Sequence, residues 1–246
     1  MTTSSAPSGD AAPLVVLAAM PEEAAALLAR LTGPQPVPVP LAGATAESGH
    51  LSGTQTVVVT TGIGIAAATA AATWAILEHR PRAVVAAGSC GGLAADVEVG
   101  TLIVGDSFTW SLADATAFGY APGQVPGGPE RHRADPSWVE RAERAARNAD
   151  TAGAGHGVRR GLMLSGDAFV TASIAGPMRE RFPGALSADM ETTAYARTAE
   201  ALGTPFVAMR AVSDLCGPAA GQQFHLEIDL VAEISARAVA ELAGGL

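Results

Sequence analysis

The feature that most restricts how this chain can fold is a series of short, uninterrupted apolar runs, each followed by a turn and a helix-forming stretch. LVVLAAM (14–20) is followed by Pro21 and EEAAALLARL (22–31). Proline at the first helical position, with acids in the first turn, makes a favourable helix start. TQTVVVTTGIG (54–64) leads into IAAATAAATWAILEHR (65–80), and AVVAAGSCGG (83–92) leads into GTLIVGDSF (100–108). VRRGLMLSGDAFV (158–170) reads as a strand running into a loop, MRERF (178–182) as a short helix and ETTAYARTAEAL (191–202) as a longer one. Gly203 and Pro205 bracket a turn before PFVAMRAVSD (205–214), a buried strand, and LVAEISARAVAELAGG (230–245) is a final amphipathic helix. Apolar strands without polar alternation need cover on both faces. The expected fold is therefore α/β, a central mixed, mostly parallel twisted sheet flanked by helices. A chain of 246 residues with 48% hydrophobic content suits one such domain, expected over residues 14–246 behind a disordered leader, residues 1–13.

Composition removes several function classes. The net charge is -9 and the 15 basic residues are scattered, so the Lys/Arg stripe that displaces phosphate counterions is missing and nucleic acid is not an expected partner. Cys90 and Cys216 are the two cysteines, without the CxxC spacing of a zinc site or the density of a secreted disulfide scaffold. The N-terminal MTTSSAPSGDAAP lacks the basic start and apolar run of a signal peptide, and no uncharged apolar stretch approaches about 18 residues. A cytoplasmic protein without membrane association is expected. The segment 111–135, SLADATAFGYAPGQVPGGPERHRAD, breaks the strand and helix rhythm and is too long for an ordinary connection, which marks it as functional.

In open α/β sheets, ligands gather where strand carboxyl ends meet loops and helix N-termini. Candidate groups at such ends are Glu22 and Glu23, Gly62 and Gly64, Ser89, Gly91 and Gly92, Phe169, and Ser213 with Asp214. The GIG turn lacks the third glycine and the following acid of a dinucleotide fingerprint. His50, His79, His132, His156 and His225 show no metal-ligand spacing, and GSCGG is not a serine-hydrolase elbow. Neither a cofactor nor a metal is expected. Carboxylate acid/base chemistry remains, by Glu22 or Glu23, Asp189, Glu191 and Asp214, with Arg210 nearby in sequence. Asp214 ends the most apolar strand, where burial would raise its pKa and keep it protonated near neutrality. The same residue also fits an N-cap or turn aspartate, Glu22 and Glu23 fit first-turn helix acids, and Asp189 and Glu191 in SADMETTA fit a helix start.

Several segments together resemble the nucleoside phosphorylase superfamily and, within it, the 5'-methylthioadenosine/S-adenosylhomocysteine nucleosidases. They are AAMPEEAAAL (18–27), TTGIG (60–64), AAGSCGG (86–92), DATAFGYAPGQVPG (114–127), VRRGLMLSGDAF (158–169), ADMETTA (188–194), PFVAMRAVSD (205–214) and QQFHLEIDL (222–230). The resemblance implies hydrolysis of the bond between adenine and a 5'-thio-substituted ribose. It implies that Asp214 protonates purine N7, with Ser213 placing it, and that Glu23 holds and deprotonates the attacking water. Ser89 and Arg210, with the neighbouring Gly91, would organise that network. Glu191 would accept a bond from a ribose hydroxyl, Met190 would pack on the sugar, Phe169 would stack on the purine and the backbone at Val170 would read its edge. Ile63 and Ile228 would line the 5'-thio subsite. Phe118 and Pro126, on the 111–135 loop, would complete the neighbouring subunit's site, which implies a homodimer.

Pro21 stands where many members carry another acid, Asp189 stands for a glutamate, and about four extra residues follow Asp214. Three rivals remain in view. A purine nucleoside phosphorylase would need cations around phosphate, where this chain has Ala86 and N-terminal glutamates. A related hydrolase would take futalosine-type nucleosides, 5'-deoxyadenosine or adenosine monophosphate, the last disfavoured by the missing basic cluster. A non-catalytic nucleoside-binding protein would be expected to have lost Glu23, Asp214 or Glu191.

Overall fold

The computed structural model describes residues 12–151, 153 and 155–246. All but the last two residues of the expected leader lie outside that range. In chain order the elements are β1 (Leu14–Ala18), α1 (Pro21–Leu28), β2 (Leu31–Val37), β3 (Thr45–Leu51), β4 (Thr54–Thr60), α2 (Ile65–His79), β5 (Ala83–Gly92) and β6 (Leu102–Trp110). There follow β7 (His132–Arg133), α3 (Pro136–Thr151), β8 (Val158–Ser165), α4 (Ala172–Arg181), β9 (Ala185–Asp189), α5 (Thr192–Ala201), β10 (Phe206–Asp214) and α6 (Ala220–Gly244).

Strand β1 lies parallel to β4 on one side and to β5 on the other, and every one of its residues is buried. This is the reason its sequence is apolar without alternation. Strand β5 also pairs in parallel with β10; β10 runs antiparallel to β6, and β6, β8 and β9 follow in parallel. Strand β9 then returns antiparallel onto Gly91 and Gly92, so β5, β10, β6, β8 and β9 close into a ring. Helices α1, α3 and α6 pack as one group and α2 with α5 as another.

The sheet is α/β as expected, and mixed, but more antiparallel than the sequence suggests. The helix expected over 22–31 stops at Leu28, and the chain turns into β2 and β3, an antiparallel extension of β4 that the apolar runs do not reveal. Strand β2 is exposed along most of its length and carries Pro34 and Pro36, as an edge strand can. Helix α3 lies outside the expected elements; Asp135 Oδ1 caps it through the N–H groups of Ser137 at 2.9 Å and Trp138 at 3.2 Å. Trp138, Val139, Ala142, Ala146 and Ala149 supply its buried stripe at helical spacing. Helix α6 begins at Ala220 rather than at 230. Among the described residues no helix is long and apolar enough to cross a membrane.

Leu17 is fully buried between Val59 and Ala86. Leu17→Ala should therefore destabilise the protein by about 2–5 kcal/mol, read from urea unfolding with an unchanged slope. A loss under about 1 kcal/mol would mean that the central strand is not the tightly packed element described here.

Candidate active site

The ends of β1, β5, β9 and β10 and the loops after β4 and β8 line one cavity enclosing ≈ 690 Å³ of open space, its mouth included. Strand β10 slips register against β5 between Val212 and Asp214. Such a bulge re-aims side chains. Here Ser213 and Asp214, which would face opposite sides of a regular strand, bond to each other, with Ser213 Oγ donating to Asp214 Oδ2 at 3.0 Å.

Glu23, in the first turn of α1, is only 2% exposed. Its Oε2 accepts from the N–H groups of Ala19 (2.8 Å) and Met20 (3.2 Å), and its Oε1 accepts from the N–H (2.7 Å) and Oγ (2.8 Å) of Ser89. The carboxylate thus ties the end of β1 to β5. Gly88 permits the approach: its φ is +117°, and a Cβ there would lie 2.4 Å from the Glu23 carboxyl carbon.

Behind Glu23 lies Arg210, 1% exposed. Its Nη1 donates to the Ser89 carbonyl at 2.8 Å and lies 3.4 Å from Glu191 Oε2, while its Nε is 3.8 Å from Asp189 Oδ2. Burial pulls the pKa of this guanidinium down, but the carboxylates of Asp189, Glu23 and Glu191 outweigh that and raise it above its ordinary value.

Asp189 and Glu191 divide their work. Asp189 Oδ1 accepts from Ser165 Oγ (2.7 Å) and from the N–H groups of Glu191 (3.0 Å) and Thr192 (2.9 Å), so Asp189 ends β9 and caps α5. Glu191 precedes α5 without capping it, and its Oε1 accepts from the Gly64 N–H at 2.9 Å. Burial pushes the Glu191 carboxyl up to about 7 against the pull of Arg210, with Asp189 adding to the rise. Beside Gly64, the Ile65 N–H donates to Asp167 Oδ1 at 2.8 Å, so the start of α2 is held by carboxylates from two other segments.

Asp214 is 2% exposed, and burial raises its pKa, partly opposed by the Cys216 N–H at 3.0 Å from Oδ1 and by Ser213. That direction matches the sequence expectation for this residue. Besides bonding Asp214, Ser213 Oγ lies 3.3 Å from the Cys90 carbonyl.

The cavity gathers Glu23, Ile63, Ser89, Gly91, Phe169, Val170, Met190, Glu191, Arg210, Ser213 and Asp214. Glu22 is exposed outside it. Ile228 packs against the core from α6 and is not among the residues lining this cavity, whereas Phe224 is. The early start of α6 is the reason, since it brings to the mouth a residue about 6 Å nearer the helix start. Phe224 meets Phe169 edge to face, with centroids 5.8 Å apart. Phe118 and Pro126 lie exposed on the 111–135 loop, away from this cavity, with Phe118 82% exposed. Sequence reasoning missed Phe224, Asp167 and Cys216; a longer reading of α6 would have found the first, and no pattern signals the other two.

The model of the phosphorylase superfamily matches residues 13–246. Among solved structures, the chain is similar to the 5'-methylthioadenosine/S-adenosylhomocysteine nucleosidase of Neisseria meningitidis in complex with methylthio-immucillin-A. Identity is 36% and the TM-score 0.89, covering 95% of this chain and 99% of that one. The nucleosidase of the same description from Colwellia psychrerythraea 34H, in complex with adenine, gives 31% and 0.90, with 96% of both chains covered. The S-adenosylhomocysteine nucleosidase of Streptococcus pyogenes, in complex with 5-methylthiotubericidin, gives 28% and 0.87 over 96% of this chain and 98% of that one.

Arg210→Met strips three carboxylates of their counter-charge and should cost about 3–5 kcal/mol. The native Glu191 value of about 7, above the ordinary 4.5, means the folded chain binds more protons between those values, so this group's contribution to stability falls as pH rises across that window. Protonation relieves the stranded carboxylates, so the variant's deficit in urea unfolding should be smaller at about pH 5 than at about pH 8. A deficit independent of pH would contradict this account of the cluster.

Proposed function

The chain belongs to the phosphorylase superfamily, and from that premise we propose that it is a cytoplasmic, homodimeric 5'-methylthioadenosine/S-adenosylhomocysteine nucleosidase, releasing adenine and the 5-thio-substituted ribose. The observation that carries the reading is one cavity holding a buried carboxyl with a raised pKa, Asp214, and a carboxylate held by four donor contacts, Glu23. Cleavage needs both: a proton for a poor leaving group and a base for water.

In this mechanism Asp214 protonates N7 of the purine, so that neutral adenine departs from an oxocarbenium-like sugar. Such general acid help is worth about 10²- to 10⁴-fold. Ser213 keeps the carboxyl aimed. Glu23 takes a proton from the attacking water; turning the Ser89 hydroxyl away frees a lone pair on Oε1 for it. Glu191 accepts from a ribose hydroxyl, and the adjacent Arg210 favours its charged form. Met190 packs on the sugar, Phe169 stacks on the purine and the backbone at Val170 reads the purine edge. Ile63 and Phe224 face the 5'-thio group.

Water rather than phosphate is the nucleophile in this reading. Arg210 is the cation among the described cavity residues, and Asp189, Glu191 and Glu23 already balance it, which leaves an environment that repels phosphate. Incubation with methylthioadenosine, S-adenosylhomocysteine and aminodeoxyfutalosine, with and without phosphate, should give free sugar from the first two regardless of phosphate. A sugar phosphate would overturn the reading. Asp214→Asn should fold and lose turnover by about 10²- to 10⁴-fold. Glu23→Gln should be nearly inactive yet still bind substrate; loss of binding would remove it from the base role.

The homodimer is supported by Leu112, Phe118 and Val125, exposed at 54%, 82% and 47% on one loop, an apolar display that suits a partner's surface. Phe118, with Pro126, would complete the neighbouring site. Subunits of Phe118→Ala mixed with Asp214→Asn should then recover activity above the sum of the two, because one site of each mixed dimer is intact. Simple additivity would argue against a shared site.

A further inference from the structure

Three non-glycine residues have positive φ among those described: Ser52, Arg80 and Cys216. The first two are exposed, at a hairpin turn and at the end of α2, but Cys216 is 1% exposed with φ 53°. Glycine accepts that conformation at no cost and a side chain does not, so a buried cysteine held there points to a use for its side chain. Neighbouring groups over-determine the turn. The Leu215 carbonyl accepts from Arg179 Nη2 on α4 at 3.2 Å, and the Leu215 N–H reaches Gln223 Oε1 on α6 at 3.4 Å. Arg179 is itself anchored through Nε on the Leu93 carbonyl at 2.8 Å.

Cys216 is among the residues that line the cavity. A Cβ built on Gly91 would lie 2.6 Å from Cys216 Sγ and 3.4 Å from Asp214 Oδ1, so sulfur and carboxyl oxygen sit together over the same glycine. We infer that the Cys216 thiol is a positioning residue for Asp214: together with its own backbone N–H it holds Oδ1 over Gly91 and leaves Oδ2, beside Ser213, to carry the transferred proton. This rests on the reading of Asp214 as the acid.

The groups facing this turn favour the arrangement. Burial and then the Asp214 charge raise the Cys216 thiol to about 12, with Arg179 from α4 pulling the other way, so it stays a protonated donor at neutral pH. Cys90, on β5, is buried and also raised. Glu23, Asp189, Glu191 and Arg210 line the same cavity. An S–H bond donated to Oδ1 would favour the charged carboxylate and so oppose the rise that burial imposes on Asp214, keeping the acid near its working range.

The test compares Cys216→Gly, Cys216→Ala and Cys216→Ser on methylthioadenosine. Cys216→Gly relieves the left-handed φ but empties a buried position, so its Tm should change little, while kcat falls about tenfold at little-changed KM. The upper limb of the kcat pH profile, where Asp214 loses its proton, should move up in the Gly and Ala variants, and Ser should return it towards the starting position. Folded Gly and Ala variants with unchanged kcat and an unmoved limb would overturn the inference, as would a kcat loss that tracks a Tm loss with no movement of the limb. Asp214→Asn separates the two levels: if it keeps its turnover, the assignment of the acid fails, whereas an inactive Asp214→Asn beside unaffected Cys216 variants sinks only the positioning role.

Discussion

A guanidinium sealed from water is the constraint around which this molecule is arranged. Arg210 lies mid-strand in β10 and cannot reach solvent, so the fold must bring charge to it. Asp189 arrives from the end of β9, Glu191 from the start of α5 and Glu23 from the first turn of α1. Those elements are far apart in sequence and are held to one another through a single cation. Because each carboxylate also accepts backbone N–H bonds, from Gly64, Ser89, Ala19 and the first turn of α5, the cluster fixes the geometry of several chain turns at once. The polar wall of the cavity is therefore a by-product of neutralising Arg210, and its shape is set by packing before any ligand enters.

Close approach of backbone to these acids depends on small residues and on one irregularity. Gly88 leaves room for the Glu23 carboxyl and Gly91 for the Cys216 sulfur, so β5 can pass directly beneath the polar cluster. The bulge in β10 then presents two successive side chains, Ser213 and Asp214, to the same neighbourhood. A regular strand would have sent one of them away.

The parts of this fold legible in sequence are those governed by burial on both faces. LVVLA, TVVV and the run through Phe206–Asp214 read as strands covered on both faces, because they are short, rich in β-branched residues and lack the alternation of a solvated strand. Strands β2 and β3 escaped because they lie at the sheet margin, where exposure removes the apolar signature, and a two-residue strand such as β7 has no periodicity at all. In the site, Asp214 could be singled out because it ends an apolar strand. Spacing and burial alone do not separate Asp189 from Glu191, since both are acids at a helix start; the family resemblance gives the ribose contact to Glu191, and the direction of each side chain adds that one caps and the other reaches Gly64. Phe224 was hidden by an α6 that begins before its amphipathic pattern becomes clear.

The ring formed by β5, β10, β6, β8 and β9 has a consequence for how copies of this chain can meet. Closure uses up strand edges on that side, and at the other end of the sheet β2 carries Pro34 and Pro36 and loses register between Thr32 and Gln35. Proline has no N–H to offer a further strand, and a slipped, bent edge does not template one. Growth of the sheet from one molecule into the next is thus blocked at its margin. Assembly is left to side-chain surfaces, which can be matched to a chosen partner, rather than to backbone pairing, which would accept almost any extended chain.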